Sequence, residues 1–369
     1  MRTIGRRDFL RVAPAAAGAI AFAARTDEAA AAGARPAAAQ SAAVRRIGDA
    51  TYTPLEDYPI RAVPYFDVIL DDRFWKRKIE TNAAVTIPLE VRKLTETARG
   101  LNGNVLEAAI LSLRTHPNPR LQNVVDDRIR QLRGERWTGN SGFEVAAAYY
   151  LTTGRRDLLE NAIACAARLY DDFATSDPAF SGGERDAINC VQLYRATHDR
   201  KHLDLAKHYL DIRGRGDSTN RSRHNQSYKP VLEQSEAVGH AVNCASLMVS
   251  LADVGVLTGL DAYVDAARRM WHDVVERKMY VTGGVGSTGN EGFGEPYSLP
   301  NISAYSETCA VLMFITLNHR LFLATGDSQY IDVLERGMYN NAVDGVSTTG
   351  DRFFYVNRLA SAGDGRDSR

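Results

Sequence analysis

The chain has 369 residues, with 45 lysines and arginines against 45 aspartates and glutamates, so its formal net charge is zero. That balance gives no electrostatic footing for nucleic acid or for an anionic membrane surface. The length suits one large domain or two ordinary ones.

The first 24 residues read as an export leader. Gly5-Arg6-Arg7-Asp8-Phe9-Leu10 matches a twin-arginine signal, Val12 to Ala24 is short, apolar and rich in small residues, and Ala21-Phe22-Ala23 offers a cleavage site. This route carries already folded proteins, which suits a protein that acquires a metal before export, and it predicts a periplasmic or extracellular address. Residues 25–52 are rich in Ala with Arg, Gly and Pro and read as a disordered linker. Beyond the leader no stretch of roughly 18 unbroken apolar residues occurs, so no membrane span is expected in the mature chain.

From residue 53 the chain reads as folded. Short extended pieces come first, then a helical start around Phe74 to Asn82. After about residue 103 the pattern is a series of helices broken by Gly, Pro, Asn and Asp. Runs such as 104–113, 143–152, 156–173 and 187–196 place apolar residues three and four apart. Sustained β-alternation is almost absent.

An internal repeat organises these helices. Thr153, Thr197, Thr258 and Thr325 are each followed six places on by an aliphatic residue (Leu159, Leu203, Val264, Ile331) and then by an acid. The physical sense is a turn followed by a new helix whose aliphatic side packs inward. The starts lie 44, 61 and 67 residues apart, as expected of helical hairpins with inserted loops. Such hairpins either stack as a solenoid or close into a ring.

Residues 283–309 are the most informative run. Six glycines (283, 284, 286, 289, 292 and 294) make a tightly turned or flexible loop that carries Glu291 and Glu295, and Glu307 and Cys309 follow at its far end. A long Gly-rich loop bearing carboxylates and a thiol between helices is where function usually sits, although composition alone allows a solvated surface loop. The spacing of Glu307 and Cys309 would splay them on a regular helix, so they are expected at a helix entrance, with Ser303 or Ser306 as N-cap. The other cysteines, Cys165, Cys190 and Cys244, lie in apolar helical patterns without a CxxC pair and read as small buried hydrophobes.

The order Gly-Gly-Val-Gly-Ser (283–287), Glu-Gly-Phe-Gly-Glu-Pro-Tyr-Ser-Leu-Pro-Asn (291–301) and Tyr-Ser-Glu-Thr-Cys-Ala (305–310) resembles the signature of the β-L-arabinofuranosidases of glycoside hydrolase family 127. Residues 71–82, 233–242, 273–284, 333–341 and 353–361 add to the resemblance, which covers roughly 65–361. It implies an all-α fold, an (α/α)6 barrel of helical hairpins, with 53–369 as its catalytic domain and an arabinofuranosyl glycan as substrate. It implies Glu291 as acid/base, His240, Glu335 and Tyr355 as sugar contacts, and Glu307 and Cys309 as ligands of a Zn2+ that holds a cysteine thiolate nucleophile. Coordination would deprotonate that thiol.

The chain departs from the family pattern in ways that carry expectations of their own. The family's Cys-Cys pair, which supplies the nucleophile and the remaining zinc ligands, has no counterpart, since no cysteine follows Cys309. Two ligands are too few for four-coordinate zinc. Two further family histidines fall at about Ser141 and Gly183. The expectation is a barrel incomplete at its C-terminus, without the family's β-sandwich and inactive alone. The alternatives are a non-catalytic carbohydrate-binding barrel or gene fragment, or another α/α-barrel enzyme such as an epimerase or lyase.

Overall fold

The computed structural model describes residues 47–48, 51–97, 101, 103–175, 183–215 and 221–361, so the twin-arginine leader lies outside the described residues. No β-strand occurs among them; the only pairings are isolated bridges. The helices are α1 (Trp75–Thr81), α2 (Ile87–Thr95), α3 (Gly103–Thr115), α4 (Pro119–Gly134), α5 (Phe143–Thr153), α6 (Leu159–Thr175), α7 (Asp186–Thr197), α8 (Arg200–Ile212), α9 (Ala241–Thr258), α10 (Asp261–Arg277), α11 (Thr308–Thr325) and α12 (Ser328–Gly337). A π-helical turn, Asn82–Thr86, joins α1 to α2.

These helices form an (α/α)6 barrel. The odd-numbered helices from α3 to α11 pack against one another in chain order and make the inner wall, and each is followed by an outer partner. Composition explains the sorting. Inner helices touch a neighbour on each side and the outer ring behind, so they are apolar nearly all round: α9 buries every residue from Cys244 to Gly255. Outer helices need one apolar stripe, and α8 presents Leu203, Leu205 and Leu210 inward while Lys201 is exposed. The remaining place in the ring belongs to α1 and α2: α2 packs on α3, and Trp75 donates from Nε1 to the Tyr339 hydroxyl at 2.8 Å, beyond the end of α12. Two inner helices, Ala241–Thr258 and Thr308–Thr325, are long and apolar enough to cross a membrane by length and composition. Their place in the inner ring accounts for that composition.

The repeated threonine closes the four inner helices from α5 to α11. Thr153, Thr197, Thr258 and Thr325 are the last residues of α5, α7, α9 and α11, and each hydroxyl donates to the carbonyl four residues back, at 2.6 to 2.8 Å. The next residue takes left-handed backbone and returns the chain to the outer ring. It is glycine three times and His198, at φ 54°, once.

The two ends of the barrel differ. At the inner-helix C-termini, an N-terminal strap crosses the floor. Leu55 and Ile60 donate backbone hydrogen bonds to the carbonyls of Leu257 and Leu323, and the Tyr52 hydroxyl donates to Asp204 Oδ1 at 2.6 Å. Ile47 and Tyr52, within the span expected as linker, therefore pack on the folded body: Ile47 is buried. Tyr58 is the plug. Its hydroxyl donates to Asp253 Oδ1 at 2.8 Å, and Arg195 and Arg320 reach the same oxygen at 3.1 and 3.3 Å. Asp253 is completely buried, so removing it strands two guanidiniums. Asp253→Ala is expected to lower the unfolding free energy by about 3–5 kcal/mol in urea titration, against about 1–2 kcal/mol for Tyr58→Phe.

Candidate active site

The inner-helix N-termini form the mouth, and the long Gly-rich loop folds across it. Tyr280 donates to the Gly284 carbonyl, Thr288 to Gly292, and Phe293 to Gly239, which turns residues 288–292 into a small hairpin anchored on the approach to α9. Two glycines are required by contact as well as by backbone. At Gly283 (φ 85°) a Cβ would sit 2.6 Å from the Gly337 nitrogen, and at Gly239 (φ 70°) 2.1 Å from the Arg223 carbonyl. The loop is therefore a fitted structure wedged between α9 and the end of α12.

Glu291 sits in that hairpin with φ 63°, a left-handed conformation unusual for a residue with a Cβ. Its carbonyl accepts from Ala241 N, the first amide of α9, at 2.8 Å. The strain is therefore held by the helix it faces. Both carboxylate oxygens are engaged. Oε1 accepts from the Tyr305 hydroxyl at 2.8 Å, and Oε2 meets His240 Nε2 at 2.8 Å. The Tyr305 hydrogen bond holds the Glu291 carboxyl below the usual carboxylate range; burial opposes it, and the hydrogen bond and charge of His240 add to the lowering.

His240 occupies the N-cap position of α9 and Glu307 that of α11. Neither Ser303 nor Ser306 is the cap expected from sequence. Ser306 takes left-handed backbone at φ 43°, and its hydroxyl accepts from Asn341 Nδ2 at 2.8 Å. Glu307 is pinned by an antiparallel bridge to Val356, and the next amide, Thr308, donates to the Tyr355 carbonyl at 3.0 Å. The segment 354–357 thus lies along the entrance to α11 and presents Tyr355, whose ring stands edge-on to Tyr305 at 6.4 Å. Burial first, then the Glu307 carboxylate, pushes the Tyr355 phenol up. Cys309 is in the first turn of α11, at the helix entrance that the spacing predicted. Desolvation, then Glu307, pushes its thiol up to about 12.

Of the residues singled out by sequence, the structure thus brings Glu291, His240, Glu307, Cys309 and Tyr355 to one place. Glu335 is exposed in the last turn of α12. His240, expected as a sugar contact, spends its Nε2 on Glu291. Tyr305 was missed: it lies inside the quoted Tyr-Ser-Glu-Thr-Cys run, but nothing in its spacing marks it as the partner of a carboxylate 14 residues earlier. Cys165, Cys190 and Cys244 are buried and free, as their apolar settings implied. At the N-terminal ends of α3, α5 and α7 a second polar group gathers. Arg185 reaches Glu144 at 2.5 Å, and burial, reinforced by the Glu144 charge, pushes Glu107 up to about 7.

One ligand atom from each of His240, Glu291 and Glu307 lies within 4.8 Å of the other two. Glu307 Oε2 is buried without a hydrogen-bond partner. Oxygen and nitrogen donors with a sulfur beside them are what zinc takes, and an orphaned buried carboxylate oxygen is a position that a cation satisfies. The donors fit a divalent metal, though Glu307 and Cys309 by themselves leave a four-coordinate zinc two ligands short.

Known proteins share the sequence and the fold of this chain. Residues 121–368 match the β-L-arabinofuranosidase family, GH127 catalytic domain. Over 318 residues the chain is 29% identical to a non-reducing end β-L-arabinofuranosidase of Bifidobacterium longum, covering 71% of this chain and 48% of that one. A solved GH127 β-arabinofuranosidase superposes with a TM-score of 0.76 at 34% identity, over 83% of this chain and 58% of its own. A GH127 β-L-arabinofuranosidase from Geobacillus stearothermophilus T6 gives 0.69 at 27%, over 79% and 58%. An unsaturated glucuronyl hydrolase from Bacillus sp. GL1, at 12% identity and 0.54 over 78% of this chain and 90% of its own, shares the fold alone. The chain spans about half the length of the curated relative it matches.

Tyr305→Phe tests the carboxylate clamp. Losing the donor on Oε1 is expected to raise the Glu291 pKa toward the ordinary value. Glu291's folded pKa is depressed, so its stabilising contribution is present above the unfolded pKa and is lost as pH falls through the folded one. Tyr305→Phe should shrink that acid-side loss. Carboxyl-carbon NMR titration of both proteins, with Glu291→Gln to assign the resonance, checks the direction.

Proposed function

The chain belongs to the β-L-arabinofuranosidase family of glycoside hydrolases, family 127, and from that premise we propose that its mouth is the acid/base half of a retaining glycosidase site for β-L-arabinofuranosides. The observation that carries this reading is the placement of Glu291, gripped at both oxygens, beside the carboxylate and thiol of Glu307 and Cys309.

In this reading Glu291 gives a proton to the departing glycosidic oxygen and later takes one from water, as one carboxyl does in retaining hydrolysis. Its resting environment favours the carboxylate, which suits the second task. A sugar hydroxyl that takes His240 Nε2 removes one of the contacts holding Glu291 anionic, so sugar binding and proton uptake are linked. Tyr355, exposed beside Tyr305, offers the sugar an aromatic edge and a hydroxyl. Glu307 and Cys309 would hold zinc, whose chemistry when bound is to keep a thiolate deprotonated at neutral pH. In this reading the attacking sulfur comes from outside these residues, because Cys165, Cys190 and Cys244 are buried in the helical wall and Cys309 is assigned to the metal. The leader's motif supports export through the twin-arginine route.

Two assays test this. The purified chain alone should release no arabinose from an aryl β-L-arabinofuranoside. Fused to the C-terminal remainder of a GH127 relative, it should gain turnover, and Glu291→Gln in the fusion should lower kcat by at least about a hundredfold. Turnover by the chain alone would place the attacker within it. Turnover in the fusion that ignores Glu291→Gln would remove Glu291 from the chemistry.

A further inference from the structure

We propose that the cavity bounded by Val281, Asn341, Asp344, Phe354 and Leu359 is a second saccharide-binding site, set apart from the mouth, that takes one neutral sugar unit of a glycan. The site stands on the geometry of this cavity; the choice of a sugar among hydroxyl-rich ligands rests on the glycosidase reading.

The cavity lies behind the segment that presents Tyr355. Residues 354–357 run along the entrance to α11, with Val356 bridged to Glu307 and the Phe354 amide donating to the Gly345 carbonyl at 2.7 Å. Side chains alternate across such an extended segment. Tyr355 therefore turns toward Tyr305 and Glu307, while Phe354 and Val356 turn the other way and line the cavity. The opposite wall is the π-helical turn Met338–Ala342, and the rim is Val281 and Thr282 at the start of the Gly-rich loop. Such π turns recur at functional sites. The space is about 470 Å3, within the range of small-molecule pockets, and none of His240, Glu291, Glu307 or Cys309 lines it.

Asn341 is the independent sign that a ligand belongs here. It lines the cavity and is 2% exposed. Its Nδ2 donates to the Ser306 hydroxyl at 2.8 Å, and its Oδ1 has no hydrogen-bond partner. Gly284 backs the nitrogen end so closely that a Cβ there would lie 2.5 Å from it, so the amide is held from that side. An amide oxygen buried without a donor is costly, and a ligand hydroxyl that donates to it removes the cost.

The rest of the lining fits a sugar. Asn340 and Asn357 add two more amides, and a hydroxyl, which both donates and accepts, serves either end of each. Asn357 is already fixed, because its Nδ2 donates to the Ser306 carbonyl and the Thr308 hydroxyl, both at 2.9 Å. Phe354 and Val281, both exposed, supply apolar surface for the C–H face of a ring. The two charged lining residues, Asp344 and Arg358, are of opposite sign, so the wall favours a neutral ligand over a phosphate or a uronate. Segment 354–357 is shared by cavity and mouth, so a glycan anchored here keeps its other units close to Glu291.

The test is a titration of the full chain, labelled with 15N-asparagine, with methyl β-L-arabinofuranoside, read on the side-chain amides by NMR. The Asn341 resonance, assigned by its loss in Asn341→Ser, should shift saturably. Val281→Trp, which fills the cavity from an exposed position, should weaken that binding by about tenfold or more, and Glu291→Gln at the mouth by less than about twofold. Should Asn341→Ser fold poorly by circular dichroism, Asn341→Asp gives the assignment with the shape of the side chain retained. No saturable shift, a shift indifferent to Val281→Trp, or a shift lost in Glu291→Gln would each overturn the proposal. So would an Asn341 amide that ignores the sugar in the fusion with the C-terminal remainder of a GH127 relative, since polypeptide would then fill the cavity. None of those outcomes bears on the glycosidase reading, which turnover by that fusion and by its Glu291→Gln variant decides.

Discussion

The site depends on how one carboxylate is held. Glu291 is gripped from both sides, by a phenol that precedes α11 and an imidazole that precedes α9. Its own backbone is bent into a left-handed turn that the first amide of α9 stabilises. Glycines at 239 and 283 are the complementary half of the same constraint, since only a residue without Cβ lets the approach to α9 lie against residues 223–224 and the start of the loop lie against the end of α12. The strain of order 1–3 kcal/mol that such a residue stores is met by the surrounding hydrogen bonds.

The barrel supplies the rest through its polarity. Inner helices run in one direction, so their amide-rich ends converge on the mouth, where Glu291, Glu307 and Glu144 collect. Their carbonyl-rich ends converge on the floor, where Arg195 and Arg320 meet Asp253 beneath Tyr58. The threonine-and-left-handed turn at the C-termini of α5, α7, α9 and α11 makes this arrangement repeat, because it reverses the chain at the same level each time. One end is thereby sealed by the strap at residues 51–60, and the other is left for chemistry.

The helices and their alternation were legible because burial imposes them directly on sequence. An inner helix must be apolar all round, an outer one striped, and Thr153, Thr197, Thr258 and Thr325 mark the corners. The closure into a ring was not legible from periodicity, since stacked hairpins share every local feature. It came from resemblance and is seen in the contacts of Trp75 with Tyr339. Glu291, Glu307 and Cys309 could be placed by motif, but their surroundings could not. That His240 would turn to Glu291, and that Tyr305 would hold the other oxygen, depends on three-dimensional closeness across 51 and 14 residues that no local pattern encodes. The N-cap of α11 was misassigned to serine because capping rules weigh side-chain chemistry. Here the bridge to Val356 sets the helix start instead.

The most direct measurement of the central claim is a crystal structure of the chain soaked with β-L-arabinofuranose. The account predicts the sugar at the mouth, its anomeric oxygen within hydrogen-bond reach of Glu291 and its hydroxyls on His240 and Tyr355. A sugar seated on the floor beside Tyr58, or on the outer helices, with Glu291 still clamped between Tyr305 and His240, would contradict it.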